Sequence, residues 1–180
     1  MPVLTANRRR AAGFTIVELM FTVFIAAVLM AIAVPSFRTM MTQNRLATQT
    51  NDLIGAANYA RSEAITRNRN VSLCKADTAT AVACSTGTGN WSFWIVLNSD
   101  GTVVRTGTIN TYGNTLRVST TLTNNAVTFG ADGLARTGTG LVANHTITVC
   151  STVSLPENIR TITMGAGSRL STARTTGTCP

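Results

Sequence analysis

The sequence predicts an α+β protein in which one long N-terminal helix packs against an antiparallel β-sheet domain. Three features carry this expectation. An apolar run extends from Phe14 to Phe37 with Glu18 as its one charge. A helical stripe continues past it to about Thr66, and from Asn70 onward short alternating runs rich in Thr, Asn, Gly and Val replace the helical period. The composition, 44% hydrophobic and only 12% charged, has about half the charged share usual for a soluble domain, so part of the chain is expected outside water.

The apolar run holds 24 residues, which as a helix reach roughly 36 Å, enough to cross a hydrocarbon core of about 30 Å. Arg8, Arg9 and Arg10 precede it. Such a cluster stays cytoplasmic, which sends everything after the run to the other side of the membrane. The alternative is an ordinary secreted domain whose signal peptide is cut after Ala31-Ile32-Ala33. Two observations oppose it. A carboxylate inside an apolar h-region costs about 2.5–3.5 kcal/mol on insertion scales, so Glu18 should have a use. The helical pattern also continues, through Leu46, Thr50, Leu53, Ala57, Ala60 and Ala64 at alternating steps of four and three. One helix from Phe14 to about Thr66 is expected, bent at Pro35, whose ring removes a backbone donor.

Strands are expected at Val71 to Cys74, Trp91 to Asn98, Thr102 to Arg105, Leu116 to Ser119, Ala126 to Phe129, Thr146 to Cys150 and Arg160 to Met164. Turns are expected at Ser99-Asp100-Gly101, Ala131-Asp132-Gly133 and Gly165-Ala166-Gly167. The first makes a hairpin of its flanking strands. Asn98-Ser99-Asp100-Gly101 also resembles the start of a calcium loop, but an EF-hand needs Glu where Ile109 stands. The dinucleotide, P-loop, zincin and serine-hydrolase motifs are missing, His145 is the lone histidine, and the four cysteines show no C-x-x-C. No catalytic residue, metal site or cofactor is expected.

At Gly13-Phe14-Thr15-Ile16-Val17-Glu18-Leu19 the sequence resembles the class III signal of type IV pilins and type II secretion pseudopilins. The resemblance implies that prepilin peptidase cuts between Gly13 and Phe14 and methylates Phe14. It implies that Glu18 pairs with the α-ammonium of a neighbouring subunit during assembly, and that Pro35 is the helix-bending proline. The organisation expected is a cleaved leader at 1–13, a membrane and filament-core segment at 14–37, and an exported domain at 38–180. The protein would be single-pass in the inner membrane, its C-terminal domain exported, and would then join a pilus or pseudopilus with other pilins or pseudopilins.

Further along, Ala60-Arg61-Ser62-Glu63-Ala64-Ile65-Thr66-Arg67-Asn68, Val71-Ser72-Leu73-Cys74, Trp91 to Val96, Arg160-Thr161-Ile162 and the Cys-Pro end look like the GspH/FimT branch. That branch implies a non-enzymatic structural subunit, either a type IV pilus minor pilin near the tip or pseudopilin H of type II secretion. Its oxidising location favours disulfides. Four cysteines allow three pairings, and sequential pairing, Cys74 with Cys84 and Cys150 with Cys179, would pin a tail that has little apolar content after Met164.

The chain carries 15 basic residues against 7 acids, a net +8, and Lys75 is its one lysine. After Phe37 twelve basic residues stand against six acids, for +6. Some minor pilins of the branch bind DNA in natural transformation through a C-terminal Gly-Arg-x-Arg element. Here the matching stretch, Gly167-Ser168-Arg169-Leu170-Ser171-Thr172-Ala173-Arg174, has an extra serine and a wider arginine spacing. On that resemblance Arg160, Arg169 and Arg174 are the expected contacts to double-stranded DNA, through guanidinium forks on phosphate.

Overall fold

The computed structural model describes residues 13–138, 140–142 and 144–180. The leader expected at 1–13 therefore lies outside the described residues apart from Gly13. Helix α1 covers Ile16–Arg67, 52 residues. Thr15 caps it, its Oγ1 accepting the Glu18 N–H at 3.2 Å, which satisfies one of the four donors a helix start leaves without an intrahelical partner. The far end closes on Asn68, which takes φ of 51°. Its N–H donates to the Ile65 carbonyl and that of Arg69 to the Ala64 carbonyl, the two bonds of a Schellman closure. Asparagine is one of the few residues with a side chain that visits this left-handed region readily.

Two compact units divide the chain, residues up to Met40 and Met41–Pro180. In the first, every described residue through Arg38 is exposed. Pro35 stands inside α1.

In the second unit ten strands follow the helix: β1 Val71–Ala76, β2 Phe93–Asn98, β3 Val103–Thr108, β4 Leu116–Thr120, β5 Ala126–Phe129, β6 Ala135–Thr137, β7 Gly140–Leu141, β8 His145–Ser151, β9 Ile159–Met164 and β10 Leu170–Thr175. They form a six-stranded sheet in the order β3-β2-β1-β5-β6-β7 and a four-stranded sheet in the order β10-β9-β8-β4. All pairings are antiparallel. The expected stripe Leu46, Thr50, Leu53, Ala57, Ala60 and Ala64 is buried throughout. Its apolar members share one core with Leu73 and Val96 of the larger sheet and Val118, Ile147, Val149 and Ile162 of the smaller. Alanine at three of these positions keeps the helix surface low, so both sheets can approach it.

The larger sheet is covered on both faces. Leu73 pairs with Val96 and Cys74 with Ile95, and the first pair belongs to the helix-side core, the second to a separate cluster with Ala76 and Leu97. Ala81 and Cys84, from the loop after β1, pack on that second cluster, and the loop is tied down by the Cys74–Cys84 disulfide. Lys75 ties it a second time. Its Nζ, on a side chain only 6% exposed, donates to the carbonyls of Gly87 and Thr88 at 3.0 and 3.1 Å. A buried ammonium is tolerable here because carbonyl oxygens replace its water.

The hairpin expected around Asp100 joins β2 to β3, with Gly101 at φ of 81° and the Asp100 carboxylate accepting the Thr102 N–H at 2.9 Å. Three strands, β6, β7 and β10, have no counterpart in the expected list. The tail after Met164 is thus not a loose segment held by a disulfide: β10 pairs with β9 over six residues, Leu170 opposite Met164 through Thr175 opposite Ile159. Leu170 is half-buried and every later residue of β10 is exposed, so the period-2 alternation that reveals a half-buried strand is missing from its sequence.

Candidate functional site

Two regions carry chemistry. The first is the start of α1. Phe14 is 80% exposed just ahead of the helix, and Glu18 is the acidic residue of the first turn. Thr15 and Glu18 stand in the T-x-x-E spacing of a capping box, with the threonine half of the box in place. That spacing was legible in the sequence, and Thr15 is the residue it would have singled out. A carboxylate in the first turn faces the positive end of the helix dipole. Behind it Ile16, Val17, Leu19, Met20 and Phe21 are all exposed, so the helix offers one charge within an otherwise apolar surface. This is a segment built to be covered by lipid or by other apolar helices.

The second region is the C-terminal hairpin, where the structure separates the three arginines. Arg160 on β9 is only 6% exposed. Its guanidinium donates to the Gln43 side-chain oxygen on α1 and to the Glu157 carbonyl at 3.0 Å, and the Glu157 carboxylate lies 3.7 Å away. Burial, and then the Arg174 charge, lower the Arg160 pKa, while Glu157 opposes them. Arg160 is therefore a strut between β9 and the helix rather than a surface contact. Arg174 sits opposite it in the β9–β10 register, exposed and 3.7 Å from the same Glu157 carboxylate. Arg169, also exposed, precedes β10 at its other end, roughly 17 Å away for five residues of extended chain. Arg169 and Arg174 are accessible; Arg160 is not.

Both ends of β10 are anchored. Before it, the Ser168 Oγ accepts the Ala135 N–H, and the Gly165 N–H donates to the Arg169 carbonyl at 2.9 Å. After it, the Asn158 side chain donates to the Gly177 carbonyl at 2.8 Å and accepts the Gly177 N–H at 3.0 Å. A disulfide joins Cys150 to Cys179. Gln43, Asn158 and Ser168 were not singled out by sequence, because a lone amide or hydroxyl carries no pattern until its partner is known.

An exposed apolar helical segment with one early carboxylate, in a chain that also carries a domain of antiparallel sheets, defines a pilin-like subunit anchored by a single span in the inner membrane before it joins a filament. A family model for the prokaryotic N-terminal methylation motif matches residues 8–34, and one for type II transport protein GspH matches residues 49–169. The chain belongs to the GspH family. Two crystal forms of the type IV minor pilin FimU of Pseudomonas aeruginosa (strain PAO1) share its fold. One is 18% identical, covering 71% of this chain and 91% of that one at a TM-score of 0.51. The other is 19% identical, covering 72% and 88% at a TM-score of 0.52. No curated protein is a significant sequence match. The family is one of structural pilin subunits of the type IV pilus or type II secretion kind.

Proposed function

We propose that this chain is a minor pilin of a type IV pilus, located near the filament tip and assembled through residues 14–37. Prepilin peptidase removes residues 1–13 by cutting between Gly13 and Phe14, and Phe14 is N-methylated. Glu18 then pairs with the α-ammonium of a neighbouring subunit, Pro35 bends the helix, and residues 38–180 form the exported domain. The observation that carries this reading is the position of Glu18, the one acid in the exposed apolar segment 14–37 of the helix. In lipid its desolvation is costly, and an opposite charge on the next subunit offsets that cost only on assembly. The likeness of fold to a minor pilin supports a minor rather than a major component. Assembly as pseudopilin H of type II secretion would use the same residues in another machine.

The test has two parts. Intact mass from cells carrying prepilin peptidase should give a mature chain that begins at methylated Phe14; a start at Val34 would instead mark an ordinary signal peptide. Glu18→Val should insert and be cleaved normally yet be largely lost from sheared filaments, and normal recovery would remove the assembly role. A second reading, contact with double-stranded DNA, is favoured by one observation, that Arg169 and Arg174 are exposed at the two ends of one strand.

A further inference from the structure

The four sheet edges of the exported domain differ. β7 is two residues long. β4 is partly covered, since the Trp91 N–H donates to the Val118 carbonyl at 2.8 Å. β3 belongs to a ladder with a register shift opposite Val96 and Leu97, a device that disrupts edge pairing. β10 alone is a regular six-residue edge, in unbroken register with β9, without proline or lysine. It also contributes almost nothing to the core, yet a serine contact, an asparagine clamp and a disulfide hold its two ends. That much restraint on a strand that buries so little preorganises its free edge.

The direction of that edge follows from the ladder. The Gly165 N–H bonds the Arg169 carbonyl, and the Ser151 N–H bonds the Asn158 carbonyl. Counting by twos from either pair, residues 171, 173 and 175 point their backbone groups at β9. Those of Leu170, Thr172 and Arg174 then face outward. Among the described residues no strand pairs with them. The edge runs roughly 20 Å, with a guanidinium at either end.

We propose that β10 is the site where an extended, acidic segment of a neighbouring filament subunit adds a strand to the four-stranded sheet. The alternating donors and acceptors of Leu170, Thr172 and Arg174 fit a peptide backbone. The exposed guanidinium of Arg169, with that of Arg174 sharing one Glu157 carboxylate with Arg160, within a domain of twelve basic residues and six acids, selects for carboxylates. This rests on the chain being a filament subunit.

The experiment uses the full-length chain in cells that assemble the filament, and measures its recovery in sheared filaments relative to the membrane pool. Thr172→Pro removes one outward N–H and leaves the β9 ladder whole, because residue 172 does not donate to β9. It should lower recovery about tenfold, roughly the effect of one lost buried hydrogen bond together with the ring's bulk. Thr172→Ala should match wild type. Arg169→Glu, which changes an exposed side chain and leaves the Gly165–Arg169 backbone bond in place, should also lower recovery, and it decides the matter if Thr172→Pro does not fold. Thr172→Pro folded and recovered like wild type, with Glu18→Val lost, overturns the β10 site and leaves the assembly reading standing. Normal recovery of Glu18→Val overturns the assembly reading itself. If Arg169→Glu weakens only the binding of a 30-base-pair DNA duplex, β10 is a nucleic-acid surface and the strand-addition proposal fails.

Discussion

At Gly107 the chain has no room for a side chain. A Cβ built there would lie 2.1 Å from the Trp94 indole, which is itself buried and receives the Arg105 guanidinium over its ring at 5.7 Å. Gly107→Ala must displace that indole, and overpacking of this kind costs about 1–3 kcal/mol. Gly55 is the opposite case. It lies on the exposed face of α1 with nothing within 4 Å of a Cβ, so Gly55→Ala should stabilise by about 0.5–1 kcal/mol. Urea unfolding of the full-length chain in detergent should show the two changes moving in opposite directions. Arg160→Ala should lower stability in the same assay by about 2 kcal/mol, since the Gln43 oxygen and the Glu157 carbonyl lose their donor. Arg160→Lys should recover little of this, because a single ammonium does not reproduce a fork bound at two places. A surface role for Arg160 would instead leave stability unchanged. Its sequence context suggested surface, because arginine is almost never fully buried unless paired and the pairing amide is 117 residues away.

Among the elements, the helix was legible and the C-terminal edge was not. The stripe from Leu46 to Ala64 repeats at helical spacing because one face of α1 is buried over several turns. In β1, β2, β8 and β9 short apolar or alternating runs survive because at least one face is covered. β10 shows no such run, since backbone pairing and the groups at its ends hold it rather than burial. This gives the two disulfides different jobs. Cys74–Cys84 closes a separation of 10 residues and Cys150–Cys179 one of 29. In the chain-entropy model they contribute about 2.7 and 3.6 kcal/mol. Replacing Cys150 and Cys179 by serine should therefore lower global stability more than replacing Cys74 and Cys84. Even so, the amides of Ser171 and Ala173 should stay protected from hydrogen exchange, because the β9 ladder and the Asn158 clamp remain. Fast exchange across β10 in the serine variant would show that the bridge alone holds the strand.

For the whole molecule, net charge and charge placement make different claims about DNA. Sequence supplies the total, +6 after Phe37, and a stretch similar to a DNA-binding tail. The fold decides which charges a phosphate can reach. Arg160 is buried, Arg136 is paired with Asp132 at 2.6 Å, and Arg105 lies over Tyr59 and Trp94. Arg169 and Arg174 are exposed at opposite ends of β10, and Arg174 shares the Glu157 carboxylate. If each neutralises one phosphate, log affinity should fall against log salt with a slope of about −1.8, roughly twelvefold between 50 and 200 mM. Three contacts would require about −2.7. The measurement is duplex binding by the full-length chain across a salt series. Arg169 and Arg174 changed together to alanine should remove most of the slope, and Arg105, Arg117 and Arg136 changed together should remove less. Equal losses would mean that a diffuse basic surface does the binding, and a slope near −2.7 that falls only when Arg160 is also replaced would mean that β9 opens to admit the phosphate.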